Sequence, residues 1–242
     1  MTERVAVVTN VTAYAGPGSV GGLLEAGYRV LGHDPSFESE AARREFELGH
    51  PAASAYPSKS VNGVVGHAIK QWGQLDVLVC NDVLPLQYQP VEELEAGDIR
   101  RAADALVTTP MTLTARAAVE MKRRGGGAIV LITSAAPSRP EPGFSIYSSL
   151  RAAASAFAQA AARELAPHRI TVNAIAPNFL ESELYYPDAL WGTAEGRAKL
   201  ERLLPMGRLG SGRELGALVA FLANGTAGFL TGEVVKFAGG WP

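Results

Sequence analysis

The 242-residue chain holds a single cysteine, Cys80, which excludes an intrachain disulfide and suits a reducing compartment. Its four histidines, His33, His50, His67 and His168, are scattered with no pair at ligand spacing, so no metal is expected. No apolar run reaches the roughly 18 residues that a membrane span requires. The start, Met1-Thr-Glu-Arg, leads straight into Val5 to Val8 without the charged and apolar regions of a secretory signal. A cytoplasmic location is the resulting expectation. Nor does one sign of charge dominate: 22 Lys and Arg against 24 Asp and Glu give a formal net charge of -2. That balance argues against nucleic acid or a membrane surface as partner.

What remains is a chain that is 47% hydrophobic and long enough to bury one substantial core. Short apolar runs predict strands at residues 4–9, 28–32, 52–56, 75–80, 128–133, 170–174 and 234–237. Amphipathic stretches between them predict helices at 18–26, 36–47, 61–72, 145–166 and 213–223, and two helices within 91–124 broken near 108–110. The runs are apolar throughout rather than alternating, as happens when both faces of a parallel sheet are covered. Strands alternating with helices predict one α/β domain, a Rossmann-like doubly wound parallel sheet of seven strands. One segment, 177–205, exceeds what a connection needs. It carries Tyr185, Tyr186 and Trp191 and a short helix predicted at 194–203, and is expected to cover an active-site mouth.

Ser134, Tyr147 and Arg151 are the candidate catalytic residues. Ser134 closes the apolar run 128–134, and Tyr147 and Arg151 lie four apart at the start of a long helical stretch, on one face. A free phenol of pKa about 10 is only about 0.1% ionised at pH 7. A guanidinium about 4 Å away, at an effective dielectric near 20, favours the phenolate by about 4 kcal/mol, and desolvation opposes part of this. Arginine cannot serve as an acid in this range, so Arg151 acts as a fixed charge. Ser134 would hold a substrate oxygen over Tyr147. A buried inert thiol is the reading for Cys80, and core packing for Trp72, Phe157 and Phe221.

Gly16-Pro-Gly18-Ser-Val-Gly21 satisfies G-x-G-x-x-G, yet fails the physical demands of a dinucleotide turn. Asn10 to Ala15 intervene between the first predicted strand and Gly16, and Pro17 offers no N–H to a phosphate. Asp34, after the second predicted strand, stands where an acidic residue would meet an adenosine ribose. It is read as a remnant of that contact or as a helix cap.

The spacing Ser134-x12-Tyr147-x3-Arg151 resembles the Ser-x12-Tyr-x3-Lys signature of the short-chain dehydrogenase/reductase superfamily, with Arg replacing Lys. Against that superfamily's T-G-x3-G-x-G turn, Thr9 matches, Asn10 stands for the first glycine, Tyr14 for the second, and Gly16 keeps the third. The N-A-G motif reads Asn81-Asp82-Val83, the P-G pair reads Pro177-Asn178, and the relay asparagine aligns with Leu106. All these changes remove contacts to one ligand, the nicotinamide nucleotide. The combination resembles the halohydrin dehalogenases.

That resemblance implies a strand order of 3-2-1-4-5-6-7 and no cofactor. It implies conversion of vicinal halohydrins to epoxides plus halide, and epoxide opening by small anions in reverse. It carries Pro177, Asn178, Phe179 and Leu180 onto the family's halide loop, with Tyr14 and Tyr186 as aromatic walls. A homotetramer is implied, for which the alanines Ala152, Ala153, Ala154, Ala158, Ala161 and Ala162 give a helix that another can approach closely. The alternatives are an NAD(P)-dependent oxidoreductase with a degenerate motif, or a non-catalytic protein on the same scaffold.

Overall fold

Within β1 (Arg4–Val8), Val5 and Val7 face one side of a sheet while Ala6 and Val8 face the other, and all four are buried. The same alternation runs through β2 (Tyr28–Gly32), β4 (Val77–Asn81), β5 (Gly127–Ile132) and β6 (Ile170–Pro177), so each strand feeds two cores at once. The computed structural model describes residues 3–241; Met1, Thr2 and Pro242 lie outside the described residues, and with them part of the reading of the chain's ends. With β3 (Ala53–Ala55) and β7 (Val234–Phe237), the strands form one parallel seven-stranded sheet ordered 3-2-1-4-5-6-7, as expected.

One face is covered by α1 (Gly16–Glu25), α2 (Glu40–Gly49) and α9 (Gly212–Ala223), through Val20, Leu23, Phe46, Leu215 and Val219. The other is covered by α3 (Val64–Trp72), α5 (Thr109–Arg124) and α6 (Ser145–Leu165), through Val65, Ala68, Leu113, Met121, Ala158 and Leu165. Each fully buried leucine among these contributes about 1.5–3 kcal/mol of transfer free energy.

Two glycines of the G-x-G-x-x-G match, Gly16 and Gly18, and the neighbouring Gly22 are required by packing, whereas Gly21 faces open space. A Cβ on Gly16 would sit 2.3 Å from the Asn10 carbonyl oxygen, so this residue closes the turn into α1. A Cβ on Gly18 would lie 2.1 Å from the Gly212 oxygen, and one on Gly22 would lie 2.2 Å from the Gly216 oxygen. These two glycine pairs let α1 and α9 touch backbone to backbone.

Several boundaries differ from the sequence expectation. Residues 91–124 do not break near 108–110: Val91–Glu93 is a separate 3-10 turn, and α4 (Ala96–Ala103) passes through a π-turn, Asp104–Thr108, directly into α5. Thr109 N–H bonds back to Asp104 O, and this wider turn accommodates Pro110 without ending the helix. β6 runs three residues past its predicted end, so Pro177 pairs with Phe237 at the sheet's carboxyl edge. Besides α8 (Ala194–Leu203), the segment 177–205 contains a short extra helix, α7 (Asp188–Trp191).

Of the alanines expected to face another helix, Ala154, Ala158, Ala161 and Ala162 are buried against this chain's own core. The small-residue stripe that does reach the surface is Ala152, Ala156 and Ala160, at helical spacing.

Candidate active site

Ser134 lies two residues past the end of β5, and Tyr147 lies in the first turn of α6. Both line a cavity of about 250 Å³ together with Tyr14, Ser148, Pro177, Asn178, Phe179 and Tyr186. The predicted site residues therefore converge, with two exceptions. Leu180 is wholly buried and does not line the cavity, and Arg151 lies beneath the floor, 1% exposed.

Arg151 is fixed by the ends of two neighbouring strands. Nη1 donates to Ile132 O at 3.0 Å and Nη2 to Asp82 O at 2.8 Å, and its Cζ sits 5.1 Å from the centroid of the Tyr147 ring. No carboxylate pairs with it among the described residues, and its Nε finds no partner. Burial opposes its charge, yet the surrounding phenols Tyr147, Tyr185 and Tyr14 hold its pKa above the ordinary guanidinium value. Ser134 Oγ accepts from Ala136 N at 3.1 Å, which leaves its own hydrogen free to donate into the cavity.

The turn after β1 holds two non-glycine residues in left-handed backbone. Asn10 and Tyr14 have φ of 48° and 53°, the left-handed region that glycine would occupy without strain. Asn10 is held there by Asn81: Asn10 Nδ2 donates to Asn81 O at 2.7 Å, and Asn81 Nδ2 donates to Asn10 O at 2.9 Å and Ala13 O at 2.8 Å. Tyr14 is held by packing. Its ring is 8% exposed and meets Tyr185 edge to face at 4.8 Å. Asp34 is the N-cap of the 3-10 turn Pro35–Glu38. One of its carboxylate oxygens accepts from Thr12 N and Oγ1 at 3.2 and 2.6 Å, the other from Ser36 N and Oγ at 3.0 and 2.7 Å. Burial works against the carboxylate, but these four donors hold its pKa below the usual range. The cap reading holds, and no acceptor is left over for a ribose.

The loop after β6 is pinned on both sides. Asn178 N–H bonds Phe237 O at 3.0 Å, and Asn178 Oδ1 accepts from Phe179 N at 3.0 Å and from Tyr186 Oη at 2.5 Å. Two donors on one oxygen fix the carboxamide orientation, and its NH₂ has no partner among the described residues. Phe179 has a φ of 55°, and its ring packs against Tyr186, Trp191 and Trp241 at 5.3, 6.3 and 6.1 Å. The Phe179 amide is thus engaged locally.

Several site residues escaped the sequence reading. Tyr185, rather than Tyr186, stacks on Tyr14, and its Oη donates to Leu84 O at 2.8 Å and accepts from Leu84 N at 3.3 Å. Burial pushes both Tyr185 and Tyr186 up to about 12, and Tyr14 well above the usual phenol value, so all three stay neutral near pH 7. Trp241, Leu86, Phe144, Arg139 and Glu141 complete the cavity wall. Asp82 is 5% exposed beside the Arg151 guanidinium; burial pushes its carboxyl up to about 7 against the lowering pull of that charge. A charged residue directly after an apolar strand was its one visible signal. Burial also raises the Cys80 thiol well above its usual value, consistent with an inert side chain.

The family model described as enoyl-(acyl carrier protein) reductase matches residues 21–242. Dehydrogenase/reductase SDR family member 4 of Homo sapiens is 28% identical over 256 residues, spanning 100% of this chain and 88% of the relative. A solved structure titled "Dehalogenation enzyme" is 40% identical with a TM-score of 0.94, covering 100% of this chain and 99% of that one. Another, a halohydrin dehalogenase (HheC) bound to ethyl (2S)-oxiran-2-ylacetate, is 38% identical with a TM-score of 0.95, covering 98% and 97% of the two chains.

Proposed function

The chain belongs to the halohydrin dehalogenase family within the short-chain dehydrogenase/reductase superfamily, and we propose that it converts vicinal halohydrins to epoxides and free halide without a nucleotide. The observation that carries this reading is one cavity in which Ser134 and Tyr147 face Pro177–Phe179, with Tyr14 filling the side where a glycine would admit a cofactor.

Ser134 donates to the substrate hydroxyl and orients it toward Tyr147. Tyr147, whose ring lies over the Arg151 guanidinium, takes the hydroxyl proton as general base. The oxygen attacks the neighbouring carbon, so that one C–O bond forms as the carbon–halogen bond breaks and its electron pair leaves with the halide. The halide departs toward Pro177, Asn178 and Phe179. There the free NH₂ of Asn178 and the aromatic edges of Tyr14 and Tyr186 give partial positive charge without a full cation that would retain the ion. Reversal opens an epoxide with a small anion, and the epoxide ester bound by the 38%-identical relative supports an oxirane in this cavity.

In this reading the segment 177–205 is the lid, latched to the β4 loop through Tyr185 and Leu84. Further parts of the proposal are a cytoplasmic location and a homotetramer built on α5 and α6, using Ala152, Ala156, Ala160 and the exposed Val119. No helix among the described residues is long and apolar enough to cross a membrane.

A second reading, an NAD(P)-dependent oxidoreductase, is favoured by the name of the human relative. Tyr14 in the turn and the four donors on Asp34 weigh against it. Purified protein incubated with 1,3-dichloro-2-propanol and no nucleotide should release chloride and acidify the medium. Absence of chloride, together with alcohol oxidation that requires NAD(P), would transfer the assignment to the second reading.

A further inference from the structure

We infer that the rim of this cavity recognises a carboxylate, so that short halohydrin acids, and the oxirane acids they form, are preferred over their neutral esters. The inference rests on the dehalogenase reading and names the substrate class of the same site.

The inner cavity is phenolic, aromatic and apolar, and the charged side chains that line it are Arg139 and Glu141. Both sit on the loop between β5 and α6. Pro137, Pro140 and Pro142 stiffen this loop, and hydrogen bonds tie both its ends: Ala135 N to Pro177 O at 3.0 Å, and Gln89 N to Gly143 O at 2.9 Å. The guanidinium is therefore presented from a preorganised segment.

Its partnering inside the chain is weak. Arg139 Nε and Glu141 Oε1 are 3.9 Å apart, with side chains 59% and 61% exposed. Among the described residues its terminal nitrogens make no hydrogen bond, whereas Arg208 binds both oxygens of Glu214. An ion pair at that separation and exposure holds little energy and gives way readily to a better acceptor. A substrate carboxylate matches the free fork of the guanidinium with two parallel hydrogen bonds. The reacting Ser134 is 6% exposed and Arg139 stands at the solvent side, so the cation meets a remote substituent and not the departing halide. Glu141 competes for the same guanidinium and moderates the preference.

The test compares 4-chloro-3-hydroxybutanoate with its ethyl ester in the wild type, Arg139→Gln and Glu141→Gln, reading halide release. In Arg139→Gln the acid's KM should rise about tenfold more than the ester's, with the effect in KM rather than kcat. In Glu141→Gln the acid's KM should fall, and added salt should erode the acid's advantage alone. An acid-to-ester ratio that neither substitution moves would overturn the inference while leaving dehalogenation intact. Halide release from neither compound, nor from 1,3-dichloro-2-propanol, would remove the functional reading beneath it.

Discussion

Replacing Asp82 by Asn should change how stability depends on pH, because the structure buries this carboxyl beside Arg151 with no hydrogen-bond donor for its ionised form among the described residues. Its pKa rises from 3.8 to about 7 on folding, with burial as the larger cause and Arg151 opposing. The folded state therefore binds a proton that the unfolded state has already released. The stabilising contribution is full below the unfolded value and is lost as pH rises through the folded one. At about 1.36 kcal/mol per unit, the roughly three-unit difference is worth about 4 kcal/mol, of which about 3 kcal/mol disappears between about pH 5 and pH 8. Asparagine keeps the backbone carbonyl that receives Arg151 Nη2 at 2.8 Å and removes only the titration. Urea unfolding of both proteins, at one fixed concentration because subunit association would shift the midpoint, measures the difference. Relative to wild type, the variant should gain about 3 kcal/mol on going from about pH 5 to pH 8. Parallel stability profiles would show that Asp82 does not titrate in this window and would refute the reasoning.

Other consequences are as direct. Tyr147→Phe should lose dehalogenation by about 10²–10⁴-fold with an unchanged circular dichroism spectrum, and robust turnover would end its assignment as base. Arg151→Lys should move the pH–rate profile, since an ammonium cannot reach both the Ile132 and Asp82 carbonyls as the fork does; an unmoved profile would count against the guanidinium's role. Gly216→Ala should cost about 3 kcal/mol or more with little change in the substrate cavity, because its Cβ would lie 2.2 Å from the Gly18 oxygen; thermal unfolding reads this, and an unshifted melting temperature contradicts the close packing of α1 on α9. A bromide-soaked crystal should show an anomalous peak against Asn178 Nδ2 and the edges of Tyr14 or Tyr186. Bromide confined to surface arginines would leave the halide site unsupported.

Much of this was legible in the chain because it depends on local periodicity. Uniformly apolar runs announced strands covered on both faces, and those runs became the two cores that share β1, β4, β5 and β6. Tyr147 and Arg151 were tied by helix geometry alone. Proline, by contrast, misled twice. Pro110 suggested a break that the π-turn absorbs, and Pro177 was read as loop where it ends a strand. A π-turn carries Pro110 inside a continuous helix, and Pro177, which lacks an N–H, closes β6 at its last position.

The sequence by itself determined the elements, their order and the residue types available for chemistry, because hydrophobic period, turn residues and spacing act over a few positions. Only the tertiary structure decided which groups meet. Tyr14 keeps the left-handed backbone of a glycine because Tyr185, 171 positions away, packs on its ring at 4.8 Å. Gly18 is required by its contact with Gly212, and donors from Phe179 and Tyr186 fix the Asn178 carboxamide. Asp82 acquired its altered ionisation from burial beside Arg151. Close packing, desolvation and hydrogen-bond satisfaction are set by neighbours in space, and no window along the chain contains them.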